Sequence, residues 1–357
     1  DNPNGSQRYY IGHVNWTGFN GLIEYTGSDK FSAVLQVGTS SQDYQWEGFY
    51  TAAPDTKSRV VTVNGGYIKG GANYRANDNS NFFFNVGQIM RPPSFDGVFP
   101  NADYDFEEAD EILNESFTSF ELGYGFRSSN FKGTINAYHT VWGDRTLRRS
   151  TSIDDQGVRI IYSGVEQTHQ GVEAEMTWYP SSRLRVKGMA SLGDWKYTKN
   201  FQGDAYFIDN NQPAGTTGTL YLDGVKIGDA AQTVLYVGLD YKLSSKLSVD
   251  VDMMSFDNLH GRFGPLDSEF NSANNRGSIK LPSWGTTDLG ATYRFTLLGY
   301  ETRARLNINN LFDKEYLSQS QTNFHNDGGR TWNGVNVENN VYFGKGTTWN
   351  LGLNINF

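Results

Sequence analysis

The chain has 357 residues, no cysteine and a formal net charge of −9. This excludes disulfides, thiolate nucleophiles and cysteine-held metals, and it argues against nucleic-acid binding by phosphate neutralisation. Mean hydropathy is −0.56, yet aromatics reach 15% and 40 glycines stand beside only 9 prolines; with no run near ~18 apolar residues, any membrane crossing must use strands.

The opening DNPNGSQRYY lacks a basic stretch followed by an apolar core, so either a signal peptide has been removed or the chain begins inside a longer protein. Beyond it, apolar and polar residues alternate along nearly the whole length, which predicts β-strands. In SFELGYGFR, Phe120, Leu122, Tyr124 and Phe126 oppose Glu121, Gly123, Gly125 and Arg127. In QGVEAEMTWYP, Val172, Ala174, Met176 and Trp178 oppose Glu173, Glu175 and Thr177; in RLRVKGMASL, Leu184, Val186, Ala190 and Leu192 oppose Arg183, Arg185 and Lys187. In TTDLGATYRF, Leu289, Ala291, Tyr293 and Phe295 share a face, and the chain closes on Trp349, Leu351, Leu353, Ile355 and Phe357 at alternate positions.

The connections alternate in length. Short ones lie at 26–29, 76–80, 128–130, 180–183, 243–245 and 296–300; long ones at 48–57, 91–115, 201–229, 260–285 and 313–346. The turn at 154–156 is short, but its flanking strands read as unusually long. Short turns on one side and long loops on the other predict an all-β, transmembrane antiparallel β-barrel over residues 1–357, apolar face to lipid and polar face to a lumen. The segments number about 13, whereas single-chain bacterial barrels close with an even count. Either a fourteenth strand lies between Asn2 and Asn15, or the chain is part of a larger barrel.

No catalytic constellation is present: the five histidines are scattered and no HExxH occurs. Glu173 and Glu175 are expected to face Arg183, Arg185 and Lys187 across strands as lumenal charge pairs, with Arg303 and Arg305 also inward. The acidic stretch from Asp103 to Glu111 reads either as a solvated loop or as a calcium site, though Glu108 stands where an EF-hand loop needs glycine. GGYIKGG (Gly65–Gly71) does not match a phosphate-binding loop and reads as part of a strand whose glycines allow either close approach by a neighbour or sheet curvature. Phe324, His325, Arg330 and Trp332, in the last long loop, are candidate ligand-binding residues or packing residues.

NINNLFDKEYLS (Asn307–Ser318) resembles the penultimate-strand motif of the TonB-dependent outer-membrane receptors. KLPSWGTTDLGATYRF, VEQTHQGVEAEM and MRPPSFDGVF are similar to further stretches of that family in the same order, and GGYIKGGANYR, ELGYGFRSS and SLGDWKY look most like members from the Bacteroidota. The resemblance implies the C-terminal part of a 22-stranded barrel, about 13–14 strands of it, without the plug domain or TonB box. It further implies a bacterial outer-membrane receptor that imports a scarce, bulky nutrient such as a ferric siderophore, cobalamin, a glycan or a peptide, with no cofactor. Its partners would be outer-membrane lipid, the missing plug and strands, TonB through that missing part, the barrel assembly machinery and a surface lipoprotein. The terminal row Trp349 to Phe357 resembles the family's assembly signal. The alternatives are a complete 14-stranded passive channel and an outer-membrane barrel enzyme.

Overall fold

The computed structural model describes residues 10–48, 57–100, 108–109, 111–153, 155–208, 212–216, 218–264 and 267–356. Strands run β1 (Tyr10–Tyr25), β2 (Phe31–Gly48), β3 (Val61–Asn77), β4 (Ser80–Arg91), β5 (Glu115–Arg127), β6 (Phe131–Ile153), β7 (Gln156–Trp178) and β8 (Leu184–Tyr197). The short β9 (Asp204–Phe207) and β10 (Pro213–Thr216) precede β11 (Thr233–Lys242), β12 (Leu247–Asp257), β13 (Trp284–Leu297) and β14 (Tyr300–Asn309). The last long loop holds β15 (Leu317–Ser320), β16 (Thr331–Trp332), β17 (Val335–Asn336) and β18 (Val341–Phe343), and β19 (Thr348–Asn356) follows. Helical structure among the described residues is confined to Phe95–Val98 and a 3-10 turn at Ser268–Asn271.

One antiparallel sheet follows the order β1-β2-β3-β4-β5-β6-β7-β8-β11-β12-β13-β14-β19, with β9 and β10 off this path. Each strand of the path pairs with the next strand of the path in chain order, β9, β10 and β15 to β18 belonging to the long loops between, the simplest way to satisfy backbone donors and acceptors where no water can. β1 and β19 are the two ends of the path and are not paired with each other. Thirteen strands that reverse at each step leave these two edges running in the same direction. The fourteenth strand considered between Asn2 and Asn15 is not separate: Tyr10–Asn15 already belong to β1, and residues 1–9 lie outside the described residues.

Register separates the two faces. Trp178, Val186, Leu239, Val251, Leu289, Ile308 and Trp349 are successive partners across seven strands and form a continuous apolar row. Such residues stand bare: Phe19 is 74% exposed, Trp349 72% and Leu351 66%. An apolar surface of this extent is stable in lipid and not in water. The opposite face carries Thr177, Lys187, Gly238, Asp252 and Asp288 in one row, and Arg185, Asp240, Asp250, Gly290, Asn307 and Asn350 in the next. Loops fold over this polar face, since a Cβ on Gly12 would stand 3.0 Å from the Phe95 ring; it is therefore the inside.

Turns at one end are short, and Leu298 and Gly299 turn β13 into β14 with φ of 50° and 87°. The long loops gather at the other end. The buried apolar clusters of the described residues all lie there: Tyr44, Trp46, Val98 and Phe99; Val158, Leu220, Leu222 and Phe270; Leu259, Ile279, Leu281 and Leu317. Between the two ends the wall leaves its apolar side chains to the bilayer. A charge placed there is costly, so Val251→Arg should destabilise the protein by about 2–4 kcal/mol, whereas Thr177→Glu, on the inside between Lys132 and Lys187, should be near neutral. The folded fraction in phospholipid vesicles across a denaturant series measures both.

Candidate functional site

The inward face of β8 to β14 holds a charge network that the sequence sets up by crowding carboxylates. Asp240 lies opposite Asp250, and Asp252 opposite Asp288. Like charges directly opposed repel, and three cations relieve them. Arg185 Nε donates to Asp240 Oδ2 at 2.9 Å, and Lys187 Nζ lies 3.6 Å from the same oxygen and 3.2 Å from Asp252 Oδ1. Arg305 forks onto Asp250, with Nη2 to Oδ2 at 2.7 Å, and also reaches Thr292 Oγ1 (3.2 Å) and Asn307 Oδ1 (2.7 Å).

This corrects the expected pairing. Glu173 lies opposite Ser191, whose hydroxyl donates to it at 3.3 Å, and Glu175 lies opposite Met189. Arg183 sits in the turn before β8, and Arg303 faces Arg294 on β13. The cations meet carboxylates on the other side, and two of these pairs skip a strand. Lys187 on β8 reaches Asp252 on β12 across Gly238, where a Cβ would stand 2.7 Å from both Lys187 Cε and Asp252 Oδ1. Asp250 on β12 meets Arg305 on β14 across Gly290, where a Cβ would overlap both side chains. Glycine on the intervening strand is the condition for each pair.

The long-loop end holds a cavity of about 800 Å³ under the loops. Trp142, Arg145 and Arg148 of β6, His169 of β7 and Tyr197 of β8 line its wall side; Asp229, Arg262, Phe263, Asp267 and Phe324 line its loop side. Arg262 Nε lies 3.4 Å from Asp229 Oδ2, and Phe263 packs against Phe270 at 4.2 Å between ring centres. Of the four candidate loop residues, Phe324 borders this cavity. His325 Nε2 lies 3.0 Å from the Gly277 carbonyl, Trp332 packs edge-on to Phe343 at 5.1 Å, and Arg330 is exposed. His169 lies within β7, as its strand pattern suggests, but the wall residues Arg145 and Arg148 escaped the sequence reading. Their signal is Gly-Asp inside a strand pattern at WGDR, which marks a bulge.

The NNLFDKEY motif is a clamp for the last loop. Asn310, at φ 49°, accepts the Lys314 N–H and donates to the carbonyls of Lys314 (3.0 Å) and Lys345 (3.1 Å). Asp313, also at φ 49°, accepts the Thr347 N–H at 2.8 Å. Tyr316 stacks on Trp284 at 3.8 Å and lies over Gly344, leaving no room for a Cβ there. A second clamp joins the two last long loops: Arg276 binds Glu269 (Nη2 to Oε2 2.7 Å) and Asp327 (Nη1 to Oδ1 2.6 Å). Of the acidic stretch, Asp103, Asp105, Glu107 and Asp110 lie outside the described residues, as does Phe357; Glu108 is engaged by Arg59.

Two outcomes follow from these contacts. Gly290→Val should open the Arg305–Asp250 pair, and Gly290→Ala should weaken it; loss of protease resistance, graded Val over Ala over wild type, measures this. The Arg276 guanidinium pulls the Glu269 carboxyl from its ordinary 4.5 down to about 2. A depressed carboxyl stabilises fully above its ordinary value and loses that contribution progressively as pH falls from 4.5 to about 2, so most of it remains at pH 4. The loop clamp should therefore survive at pH 4, whereas Glu269→Gln should expose both loops to protease at pH 7.

Comparison with known proteins agrees with this geometry. The family profile described as TonB dependent receptor-like, beta-barrel matches residues 1–311. Among solved structures, the chain is similar to the siderophore receptor PiuA from Acinetobacter baumannii at a TM-score of 0.67 and 13% identity, covering 97% of this chain and 43% of that one. It is similar to the FrpB iron transporter from Neisseria meningitidis (0.63, 14%, covering 96% and 45%) and to the copper transporter OprC (0.62, 13%, covering 97% and 48%). The chain thus spans less than half the length of each. A comparison with curated protein sequences finds no match. With a paired antiparallel wall, an apolar outside and a charged inside, the chain belongs to the TonB-dependent receptors and forms part of their β-barrel.

Proposed function

We propose that the chain is part of the wall of an outer-membrane importer that takes up a scarce, bulky solute and is energised through TonB. The observation that carries this reading is the division of one sheet into a bare apolar face and an ion-paired polar face, within a family of outer-membrane receptors. Members of that family are receptors and transporters, which supports a non-enzymatic role here. The long-loop end is the outward side, and Phe324, with Arg330 near it in sequence, belongs to the ligand-facing surface. Trp332 supports that surface by packing. The charged residues Arg185, Lys187 and Arg305, balanced by Asp240, Asp250 and Asp252, keep the lumen wall rigid and hydrated.

The wall is completed by further strands. β1 and β19 run the same way, so an odd number of additional strands is needed to close an antiparallel barrel between them. That count favours a larger receptor over the 14-stranded passive channel only if the added strands exceed one, and the likeness to structures more than twice as long supports the larger receptor.

The test is uptake by cells carrying the full-length receptor, screened over labelled ferric chelates, cobalamin, glycans and peptides. At least one class should enter only while the inner membrane is energised and TonB is present; uptake that persists after uncoupling would contradict the reading. For that solute, Phe324→Ala with Arg330→Ala should weaken surface binding by about tenfold, the scale of one lost aromatic contact, and leave barrel assembly intact.

A further inference from the structure

The chain bulges around Arg145. Its pairing with β7 shifts register on both sides of that residue, between Trp142 and Arg145 and again between Arg145 and Leu147, and Asp144 takes the left-handed conformation at φ 56°. Bulges re-aim side chains, and this one turns Arg145 over the Trp142 ring, with Cζ 3.8 Å from the ring centre. Trp142 is itself fixed, stacked on Phe117 at 5.0 Å with Nε1 donating to Glu115 at 3.3 Å.

Arg145 Nε has no hydrogen-bond partner, and no carboxylate of the described residues lies within ion-pair distance of its guanidinium. The nearby acids are engaged elsewhere: Glu115 by Arg91, Asp229 by Arg262 and Gln319, and Asp267 by the Glu269 N–H. Arg148 borders the same cavity, also with no ion-pair partner among the described residues, and His169 Nε2 there is likewise unpartnered. A guanidinium taken out of water without a counter-charge is expensive. Stacking on Trp142 uses one flat face of the Arg145 guanidinium and leaves its in-plane N–H groups for a two-oxygen acceptor.

We propose that the cavity under the outer loops takes an anionic ligand, with Arg145 as the fork for a carboxylate or phosphate group and Arg148 as a second cationic contact. Tyr197, Phe263 and Phe324 take the apolar or planar body of that ligand. This deepens the import reading, on which it rests for the outward placement of the cavity, by assigning the solute a charge: neutral glycans do not fit it.

The test is calorimetric titration of the full-length receptor in detergent with citrate, with inorganic pyrophosphate and with neutral maltotriose. Citrate binding assigns a carboxylate and pyrophosphate binding a phosphate. The wild type should bind one of the two anions, more weakly as salt is added, and should not bind maltotriose. Arg145→Met should weaken that anion about tenfold or more, and Arg145→Lys should recover only part, because an ammonium cannot form the fork. Folded-band mobility on unheated gels checks that both variants assemble. Equal anion affinity in the wild type and Arg145→Met would overturn the proposal. So would the absence of anion binding, and if Arg145→Met then also lowered the melting midpoint, the arginine would be assigned to a carboxylate within the receptor. Titration reads binding alone, so uptake that ignores the energised inner membrane would sink the import reading and leave this result standing.

Discussion

Backbone pairing under a hydrophobic solvent is the constraint from which the rest of this structure follows. Each N–H and C=O left unpaired in lipid costs several kcal/mol, so the chain runs its strands up and down in sequence order and pairs each with the next. Once the strands are paired in this way, side chains have only two directions, and a dyad sequence becomes a two-faced wall. Among the described residues the middle of the wall has no apolar core as a consequence: the bilayer takes that role, and their buried clusters form where loops leave the membrane.

The same geometry explains the inward charges. A sheet places carboxylates from adjacent strands side by side, as with Asp240 and Asp250, and such a surface holds together only if cations reach in from further away. Gly238 and Gly290 make that reach possible by removing the side chain that would stand between partners two strands apart. Charge order and glycine placement are therefore one feature. At the outer end, irregular backbone does the corresponding work: the left-handed Asn310 and Asp313 tie down the last loop, and the bulge at Asp144 turns Arg145 into a cavity.

Much of this was legible in the residues. The alternation at Val172–Trp178 and at Leu289–Phe295 predicted both strand and face, and the loop rhythm predicted which end carries the long connections, including the unusually long β6 and β7. The site was less legible. Alternation assigns a face but not a register, so Glu173 and Glu175 were expected against Arg183, Arg185 and Lys187, whereas the register places them against Ser191 and Met189. Pairing across a glycine cannot be read from neighbouring strands at all. Arg145 was hidden because a bulge breaks the period by which inward residues are counted.

The central claim is that one face of this sheet meets lipid and the other meets water, residue by residue. The chain has no cysteine, so single cysteines can be placed at 172, 173, 174, 175 and 176 of β7 in the full-length receptor in native membranes, any cysteine outside these 357 residues being first replaced by serine. Each is then reacted with a water-soluble maleimide and, separately, with a bilayer-partitioning one. Strict alternation is predicted, with 173 and 175 labelled from water and 172, 174 and 176 from lipid. Uniform labelling by the water-soluble reagent, or alternation of the opposite parity, would contradict the account.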